Sequence, residues 1–548
     1  MDEQQQHLRY LIIDDFDQMR VSFKGMLSCY GATDVTTVSS GEKALKLLAN
    51  NSYDVVICDY NLGEGKDGQQ VLEESRHLGY LGHAATFFMI TAESNMPMVM
   101  SALEHQPDDY MVKPINRDVL HHRLTVALKR KRQLKEIDDA LVRDDKLAAI
   151  ELCRGRSGKD LKQRLYLAKL QAELCLDIKR YSEAEKIFKG ILEIRDFPWA
   201  RFGLCKIRFL SADYESAESG FRELIEQNHL YLEVYDWLVK LLQARDETLE
   251  AQRLLQDAVQ LSPKAVARQR KLGKLAAVNG DIDGAEKAYQ AAIRWGRYSC
   301  FAKAIEYRRL AEIYQERGSI SKVVRLLVEG RKRFSAQPVE RIQMLCGQAL
   351  SQRRHQGAGA VVDDYLEEVM RLIDTHKKDM TAEHLFTTAD ECFQLAKHEE
   401  AKQLLQILLS NHHDDDKWVE RVTELMLRHG RENEVAQLMT IARGELEEIH
   451  VKCTELLRNE RLQQAITLLN EAIDQYPRNR TLMLMAAGAM INYMHDNGMD
   501  QGYHFRCRYS LNRLLERDRQ DQDAGRFLKM LNKITPSRVE ESVGGQYG

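Results

Sequence analysis

The sequence has little proline and no closely spaced cysteine pair. Its 548 residues include 8 prolines, and because proline interrupts helices, this scarcity is typical of a mostly helical protein. The 10 cysteines are scattered from Cys29 to Cys507 without a CxxC motif. A chain of this length needs no disulfide bonds to hold its core, so reduced and mostly buried thiols in a cytoplasmic protein are expected.

Long apolar runs and a large net charge are also missing. No stretch reaches the run of about 18 apolar residues that spans a bilayer, so no membrane association is predicted. The first residues, MDEQQQHLRY, are polar and acidic, which is not typical of a secretory signal. The formal net charge of −4 gives no overall attraction to nucleic acid or to anionic membranes. The length is sufficient for several domains or for a repeat array.

Apolar segments alternate with amphipathic segments in the first part of the chain, residues 1–128. Five short runs rich in β-branched and aromatic residues predict strands, namely YLIIDD, DVTTVS, YDVVICDY, ATFFMITA and DYMVKP. Helical patterns such as SGEKALKLLANN lie between them. This alternation predicts right-handed βαβ units and a doubly wound parallel sheet with helices on both faces.

Polar side chains stand at the carboxyl ends of the predicted strands. The first strand ends at Asp14 and Asp15, the third at Asp59, the fourth at Thr91 and the fifth at Lys113. Because the carboxyl ends of parallel strands meet in one crevice, these side chains are expected to converge. Adjacent carboxylates repel each other, and a hard divalent cation together with the lysine would neutralise them. The pattern therefore predicts a Mg²⁺ site at which a carboxylate accepts a phosphoryl group.

This set of residues resembles the receiver domain of two-component response regulators, over residues 8–128. The segment DDFDQMR is especially similar to the start of the chemotaxis receivers. The resemblance implies a flavodoxin-like (βα)5 fold in which Asp59 accepts the phosphoryl group. It also implies that Asp15, Asp59 and the backbone carbonyl of Asn61 bind Mg²⁺ directly, and that Asp14 acts through water.

The resemblance gives further roles to residues around the acidic group. Thr91 and Lys113 would contact the phosphoryl oxygens, and Tyr110 would be an aromatic switch that turns inward when Thr91 moves. Asn61 and Glu93 occupy the two positions that tune hydrolysis of the phosphoaspartate in the family. An amide and a carboxylate at these positions are similar to the fast-hydrolysing pairing, so a short-lived phosphorylated state is expected.

The loop after Asp59, NLGEGKDG, departs from the family pattern. Gly63 stands where proline is usual, and the loop is one residue longer, so greater flexibility is expected. Gly63, Gly65 and Gly68 also form a GxGxxG pattern. A dinucleotide site would place this motif after the first strand, and the charge of Asp59 would oppose a pyrophosphate. Turn glycines are therefore the preferred interpretation.

After Lys113 the pattern becomes purely helical. Apolar residues keep a helical spacing as far as Leu141, which predicts that the last receiver helix continues into a connecting helix. An unbroken helix would carry a change in orientation from the receiver to the output region, whereas a break near Arg130 would prevent this. Acidic residues follow the basic run at 129–132, so a solvated helix face is favoured over a nucleic-acid contact.

Short similar segments recur at a nearly constant spacing in the second part of the chain. Four of them carry alanine at the same place and at almost equal intervals, as Ala184, Ala217, Ala251 and Ala285. Three segments further on place Ala401, Val435 and Ala465 in the same way, and the last interval is slightly shorter. The period resembles that of the tetratricopeptide repeat, a helix–turn–helix unit of roughly 34 residues. A tetratricopeptide-repeat solenoid is therefore predicted, with irregular units at 336–380 and near the end.

These patterns predict a multidomain protein that combines an α/β domain with an all-α region. The predicted segments are a disordered N-terminus at 1–7, a receiver domain at 8–128, a connecting helix at 129–159, a repeat array at 160–535 and a disordered tail at 536–548. No nucleophile–base pair suited to a classical enzyme stands out in the helical part. The protein is therefore predicted to be a phosphoacceptor rather than an enzyme.

The predicted function is that of a cytoplasmic response regulator with a protein-binding output. The resemblance implies a histidine kinase or a phosphotransfer protein as the phosphoryl donor and Mg²⁺ as the cofactor. A solenoid groove would bind a protein or peptide ligand. The receiver face around Tyr110 would act on the solenoid, on a second receiver in a homodimer, or on an external partner. No DNA-reading motif is visible, so direct DNA binding is not expected. The alternative is a phosphorylation-independent scaffold or adaptor with a silent receiver.

Overall fold

The computed structural model consists of two compact units, residues 1–317 and residues 318–548. It describes residues 7–81, 85–92, 99–100, 104, 107–142, 145–155, 161–356, 359–412, 414–459, 461–518 and 521–534. A parallel sheet lies near the start of the first unit, and the described residues after the sheet form helices and turns. The prediction of an α/β domain followed by an all-α region is confirmed.

The sheet contains five parallel strands in the order β2–β1–β3–β4–β5. They are β1 (Arg9–Ile13), β2 (Asp34–Val38), β3 (Val55–Asp59), β4 (Thr86–Thr91) and β5 (Asp109–Val112). Every residue of β3 and β4 is buried, as is usual for central parallel strands that are covered on both faces. All five predicted strands are present, and each is slightly shorter than its predicted run.

Helices cover both faces of this sheet. Four helices with defined bounds are α1 (Asp17–Ser28), α2 (Gly41–Asn50), α3 (Gly68–His77) and α4 (Arg117–Val142). Leu45 of α2 and Leu72 of α3 pack against one face. Phe23 of α1 and Leu124 of α4 pack against the other face. The fold is therefore doubly wound, with the carboxyl ends of the strands at one edge.

Helix α4 joins the receiver-like domain to the helices that follow it. It runs for 26 residues and passes Arg130 without a break. Leu128 belongs to the core beneath the sheet, whereas Leu134 and Ile137 belong to a second core that includes the next helices. One helix thus contributes side chains to both cores.

Ten further helices are described in the first unit. They are α5 (Lys146–Gly155), α6 (Leu161–Asp177), α7 (Tyr181–Ile194), α8 (Pro198–Leu210), α9 (Tyr214–Gln227), α10 (Leu232–Ala244), α11 (Thr248–Leu261), α12 (Val266–Val278), α13 (Ile282–Gly296) and α14 (Ala304–Glu316). Each described helix from α6 to α13 packs against the next one along the chain.

The described part of the second unit is entirely helical. Its helices are α15 (Ile320–Arg333), α16 (Pro338–Gln356), α17 (Ala360–Thr375), α18 (Ala382–Gln394), α19 (His398–His412), α20 (Asp416–Arg428), α21 (Val435–Arg458), α22 (Leu462–Gln475), α23 (Arg480–Asn497), α24 (Gln501–Arg517) and α25 (Gln522–Ile534). Two short 3-10 helices lie at Lys377–Asp379 and Glu432–Glu434. No helix in the described ranges is long and apolar enough to cross a membrane.

The same left-handed turn recurs between paired helices. Positive φ angles of 61°, 61°, 60° and 77° occur at Lys179, Ala212, Asp246 and Gly280. These turn residues have the same spacing as the four fully buried repeat alanines, because each precedes one of those alanines by five positions. Since residues other than glycine rarely adopt positive φ angles, this recurrence indicates one repeated helix–turn–helix geometry.

The second unit keeps part of this pattern. Ala396 and Gly430, which lie one repeat length apart, have φ angles of 56° and 67°. Helix α21 then continues for 24 residues, where the first unit has two helices separated by a turn. This continuous helix accounts for the shorter interval between Val435 and Ala465.

Candidate functional site

The carboxyl ends of β1 and β3 bring three carboxylates together. Asp14 and Asp15 follow β1 directly, and Asp59 is the last residue of β3. One oxygen atom from each of the three carboxylates lies within 4.8 Å of the others. Asp14 and Asp59 are 1% and 8% exposed, so their mutual repulsion is only weakly screened by water.

Lys113 supplies positive charge to this acidic group. It follows β5, and its backbone N–H donates to the carbonyl of Thr91 at 2.7 Å. Its Nζ atom lies 3.1 Å from Asp14 Oδ2 and 3.0 Å from Asp59 Oδ2. The ammonium therefore bridges carboxylates that belong to two neighbouring strands.

Burial and the neighbouring charges shift the protonation of this pair. Burial raises the pKa of Asp59, the hydrogen bond and charge of Lys113 oppose that change, and Asp14 and Asp15 raise the pKa further. Burial lowers the pKa of Lys113, but the hydrogen bonds and charges of Asp59 and Asp14 outweigh burial and leave that pKa raised. Lys113 therefore remains a cation at neutral pH.

The residues present fit a divalent cation. Three carboxylates lie together and one ammonium contacts two of them, so the ionised group carries an excess of two negative charges. Asp15 Oδ1 is enclosed by the protein and has no hydrogen-bond partner among the described residues. Mg²⁺ prefers ligands of this kind, with water completing its coordination shell. Asp14, Asp15 and Asp59 are therefore the side chains that would hold the ion.

The other predicted site residues lie around this group. Thr91 ends β4, is 1% exposed and pairs in register with Val112 of β5. Asn61 is exposed, and its side-chain oxygen accepts a hydrogen bond from the backbone N–H of Gly63 at 3.3 Å. Tyr110 is half-buried against the core on the α2–α3 side of the sheet. Glu93 lies outside the described residues.

The glycines after Asp59 allow the chain to turn, as predicted from the sequence. Gly63 and Gly65 have φ angles of 74° and 105°, which are favourable for glycine. A Cβ atom on Gly68 would lie 2.2 Å from the backbone oxygen of Asp59. The start of α3 is therefore packed directly against the backbone of the predicted phosphoacceptor.

Sequence analysis missed one cation beside this turn. Lys264 lies between α11 and α12, and its Nζ atom is 2.7 Å from Asp67 Oδ2 at the start of α3. The two residues are 197 positions apart in the chain. No motif marks Lys264, because its position near the site depends on how the helical region packs against the receiver.

Comparisons with known proteins match the N-terminal domain. A sequence model of the response regulator receiver domain matches residues 10–125. Chemotaxis protein CheY of Pseudomonas aeruginosa is 29% identical over 123 residues, which cover 22% of this chain and 98% of that protein. Chemotaxis protein CheY-3 of Vibrio cholerae is 30% identical over 124 residues, which cover 23% of this chain and 94% of that protein. A solved CheY-like receiver from Methanospirillum hungatei is 22% identical, with a TM-score of 0.22, and covers 23% of this chain and 97% of its own.

The sheet, its acidic edge and the sequence matches define the N-terminal domain as a phosphoacceptor signalling module and not a classical enzyme. The chain belongs to the response regulator receiver family. The family model ends at residue 125. The long helical region therefore lies outside this family match.

Proposed function

We propose that the protein is a response regulator in which Asp59 accepts a phosphoryl group and the helical region binds a protein partner. The observation that carries the first part is the Lys113 ammonium, 3.0 Å from Asp59 Oδ2 and 3.1 Å from Asp14 Oδ2. This cation lies where negative charge would accumulate on a phosphoryl group bound to Asp59.

The proposed step is transfer from a phosphohistidine of a histidine kinase or phosphotransfer protein. An Asp59 oxygen forms a bond to phosphorus, and the bond from phosphorus to the histidine nitrogen breaks. Bound Mg²⁺ would neutralise charge on the phosphoryl oxygens. Lys113 would hold one of these oxygens, and the buried Thr91 hydroxyl at the end of β4 would contact another.

The residues that follow two of the strand ends would set the lifetime of the phosphorylated state. We propose that Asn61 and Glu93 tune its hydrolysis and that Tyr110 follows the movement of Thr91. The exposed position of Asn61 is compatible with a role in orienting water. A phosphorylated state that decays slowly, over hours in the isolated protein, would contradict this part of the proposal.

Phosphorylation from labelled acetyl phosphate in the presence of Mg²⁺ tests the proposed acceptor. The parent protein is expected to become labelled through a base-labile acyl phosphate, whereas Asp59→Asn should remain unlabelled. Asp17→Asn is the matched control, because Asp17 is an exposed carboxylate on the neighbouring helix α1. Equal labelling of Asp59→Asn would refute the proposed acceptor, and an unlabelled parent would favour a silent receiver.

The output is proposed to be protein binding by a tetratricopeptide-type array. The recurring left-handed turn and the buried alanines at the same period support this class of repeat. An open groove of about 800 Å³ in the second unit provides a candidate surface, and its apolar lining residues include Met370, Ile407 and Leu438. Charged side chains such as Glu367 and Arg371 also line it.

Capture of partners by the full chain tests this output. The protein is immobilised with and without Mg²⁺ and beryllofluoride, a phosphoryl mimic, and Asp59→Asn is treated in parallel. We expect the parent to retain a partner in only one of the two conditions. Retention that never differs between the conditions would favour a phosphorylation-independent scaffold.

A further inference from the structure

Within the first unit, two turns of the helical region contact helix α3 of the receiver, the residues just before α3, and the helical residue Glu104. The turn between α11 and α12 contributes Ser262 and Lys264, and the turn between α13 and α14 contributes Tyr298 and Ser299. Lys264 and Tyr298 lie one repeat length apart, so they hold equivalent positions in successive repeats. The receiver therefore contacts corresponding turns of two neighbouring repeats.

Lys264 holds both ends of the loop that follows Asp59. Its Nζ atom contacts Asp67 Oδ2 at 2.7 Å and lies 4.6 Å from the centroid of the Tyr60 ring. Tyr60 is the first residue after Asp59, and Asp67 caps α3 through a hydrogen bond from the backbone N–H of Gln70 at 2.9 Å. A single ammonium thus links the two residues that flank the loop at 61–66.

The backbone at the end of this loop packs tightly against the backbone of Asp59 and Tyr60. The N–H of Gly68 donates to the carbonyl of Tyr60 at 2.8 Å. The Cα atom of Gly68 lies so close to Asp59 that a Cβ atom there would be 2.2 Å from the Asp59 carbonyl oxygen. A shift of the Asp59 backbone therefore moves the start of α3 and the carboxylate that Lys264 holds.

The turn between α13 and α14 makes hydrogen bonds with polar side chains on α3 and just before it. The Nζ atom of Lys66 donates to the carbonyl of Tyr298 at 2.6 Å. The Ser299 hydroxyl donates to Glu73 Oε2 at 3.1 Å, and Ser299 and Glu73 are 3% and 7% exposed. Gln69 donates to the other oxygen of Glu73 at 2.9 Å. This face of α3 is thus a buried polar surface to which the repeat turns contribute hydrogen bonds.

Lys264 is a charged group inside this interface. Burial lowers its pKa, but the charges and hydrogen bonds of Asp67 and Tyr60 outweigh burial and leave the pKa raised. Removal of the ammonium would leave the Asp67 carboxylate partly buried without its cationic partner. Loss of one member of a buried ion pair is usually destabilising.

We propose that the two turns form an internal docking surface for the unphosphorylated receiver and that Lys264 couples this surface to the state of Asp59. The inference rests on the proposed phosphoacceptor function. A phosphoryl group adds bulk and roughly 1.5 to 2 negative charges beside the clamped loop. Phosphorylation therefore weakens docking, and by linkage docking weakens binding of a phosphoryl mimic to the same degree.

The affinity of the full chain for beryllofluoride in saturating Mg²⁺, measured by isothermal titration calorimetry, tests this coupling. Lys264→Gln is expected to bind the mimic about fivefold or more tightly than the parent, within the usual range of coupling energies. Lys274→Gln is the matched control, because Lys274 is exposed on the adjacent helix α12, and it should bind like the parent.

The same titration distinguishes an absent coupling from an absent phosphoacceptor function. If the parent binds beryllofluoride and Lys264→Gln binds it equally or more weakly, the coupling is refuted while the function stands. If the parent does not bind beryllofluoride, the proposed function is refuted, and the coupling with it. Circular dichroism of each variant establishes that the fold is retained.

Hydrogen exchange of the same proteins gives a second readout. Mg²⁺ and beryllofluoride should speed exchange of amides in α3 and in residues 262–265 of the parent. Lys264→Gln should show faster exchange there without any ligand. Asp67→Asn keeps a capping side chain but removes the charge, so combining it with Lys264→Gln should tighten binding no further. Unchanged exchange on ligand addition, or fully additive effects of the two substitutions, would overturn the proposal.

Discussion

The carboxylates of the receiver site differ in their hydrogen-bond and ion-pair partners. Asp14 and Asp59 both contact Lys113, and Asp14 also accepts a hydrogen bond from the backbone N–H of Phe16 at 2.9 Å. Asp15 is the exception, because its Oδ1 atom has no partner among the described residues. An enclosed anionic oxygen without a partner is costly. Asp15 is therefore the residue whose environment should depend most on a bound cation.

Substitution of Asp15 separates metal binding from folding. Asp15→Asn should bind Mg²⁺ about tenfold more weakly than the parent, a loss of about 1.4 kcal/mol, because one charged ligand is lost. Its thermal stability without divalent cations should equal or exceed that of the parent, because one like-charge repulsion is removed. Calorimetric titration with Mg²⁺ and thermal unfolding in chelator measure the two effects.

A control substitution shows whether the effect is specific to the site. Asp17 is 89% exposed, so Asp17→Asn should bind Mg²⁺ like the parent. Equal Mg²⁺ affinity in Asp15→Asn and in the parent would show that Asp15 is not a ligand.

The convergence of these carboxylates was predictable from the sequence because strand ends in a parallel sheet meet in one crevice. Asp14, Asp15 and Asp59 could be placed together from the strand pattern alone. Lys264 could not, because it lies in a turn and acts only through the docking of α3. Local patterns predict which residues end a strand, whereas a contact between positions 67 and 264 depends on tertiary packing.

At the scale of helices, glycine allows two of the pairs to approach closely. A Cβ atom on Gly203 of α8 would lie 2.3 Å from the ring of Phe188 on α7. A Cβ atom on Gly273 of α12 would lie 2.8 Å from the ring of Tyr289 on α13. Glycine weakens a helix interior, so its presence at both positions is explained by the aromatic ring that packs against it.

Two alanine substitutions in the α7–α8 pair should have opposite effects. Gly203→Ala should destabilise the protein by about 1–3 kcal/mol, because Phe188 is 1% exposed and its ring has little room to move. Gly190→Ala in α7 should stabilise it by about 0.5–1 kcal/mol, because nothing lies within 4 Å of its added Cβ atom. Urea unfolding followed by circular dichroism measures both changes, and effects of the same sign would contradict the packing described.

Helix boundaries were predictable where a turn residue recurs and unpredictable where it does not. The alanine spacing marked the paired helices of the first unit, and the left-handed turns occur at the same spacing. Helix α21 was not foreseen as one element. It continues through Gly444, and a Cβ atom there would meet nothing within 4 Å. The apolar spacing alone could not distinguish one long helix from two helices and a turn.

At the scale of the whole molecule, the receiver shares a compact unit with the helices up to residue 317. Buried clusters among the described residues of this unit lie on both faces of the sheet and among helices α4 to α13, and the described part of the second unit has two such clusters. A domain boundary drawn at residue 128 from the sequence would therefore cut through α4 and separate α3 from the repeat turns that it contacts.

A chain that ends at Arg317 should therefore fold and retain the regulatory contact. We expect residues 1–317 to bind beryllofluoride in Mg²⁺ with the affinity of the full chain, because both docking turns and Lys264 are present. Residues 1–128 lack these turns and should bind the mimic more tightly, like Lys264→Gln in the full chain. Calorimetric titration of the three chains measures this order. Equal affinity of residues 1–128 and 1–317 would show that docking on α3 has no energetic link to Asp59, whereas tighter binding by 1–317 than by the full chain would place part of the coupling beyond Arg317.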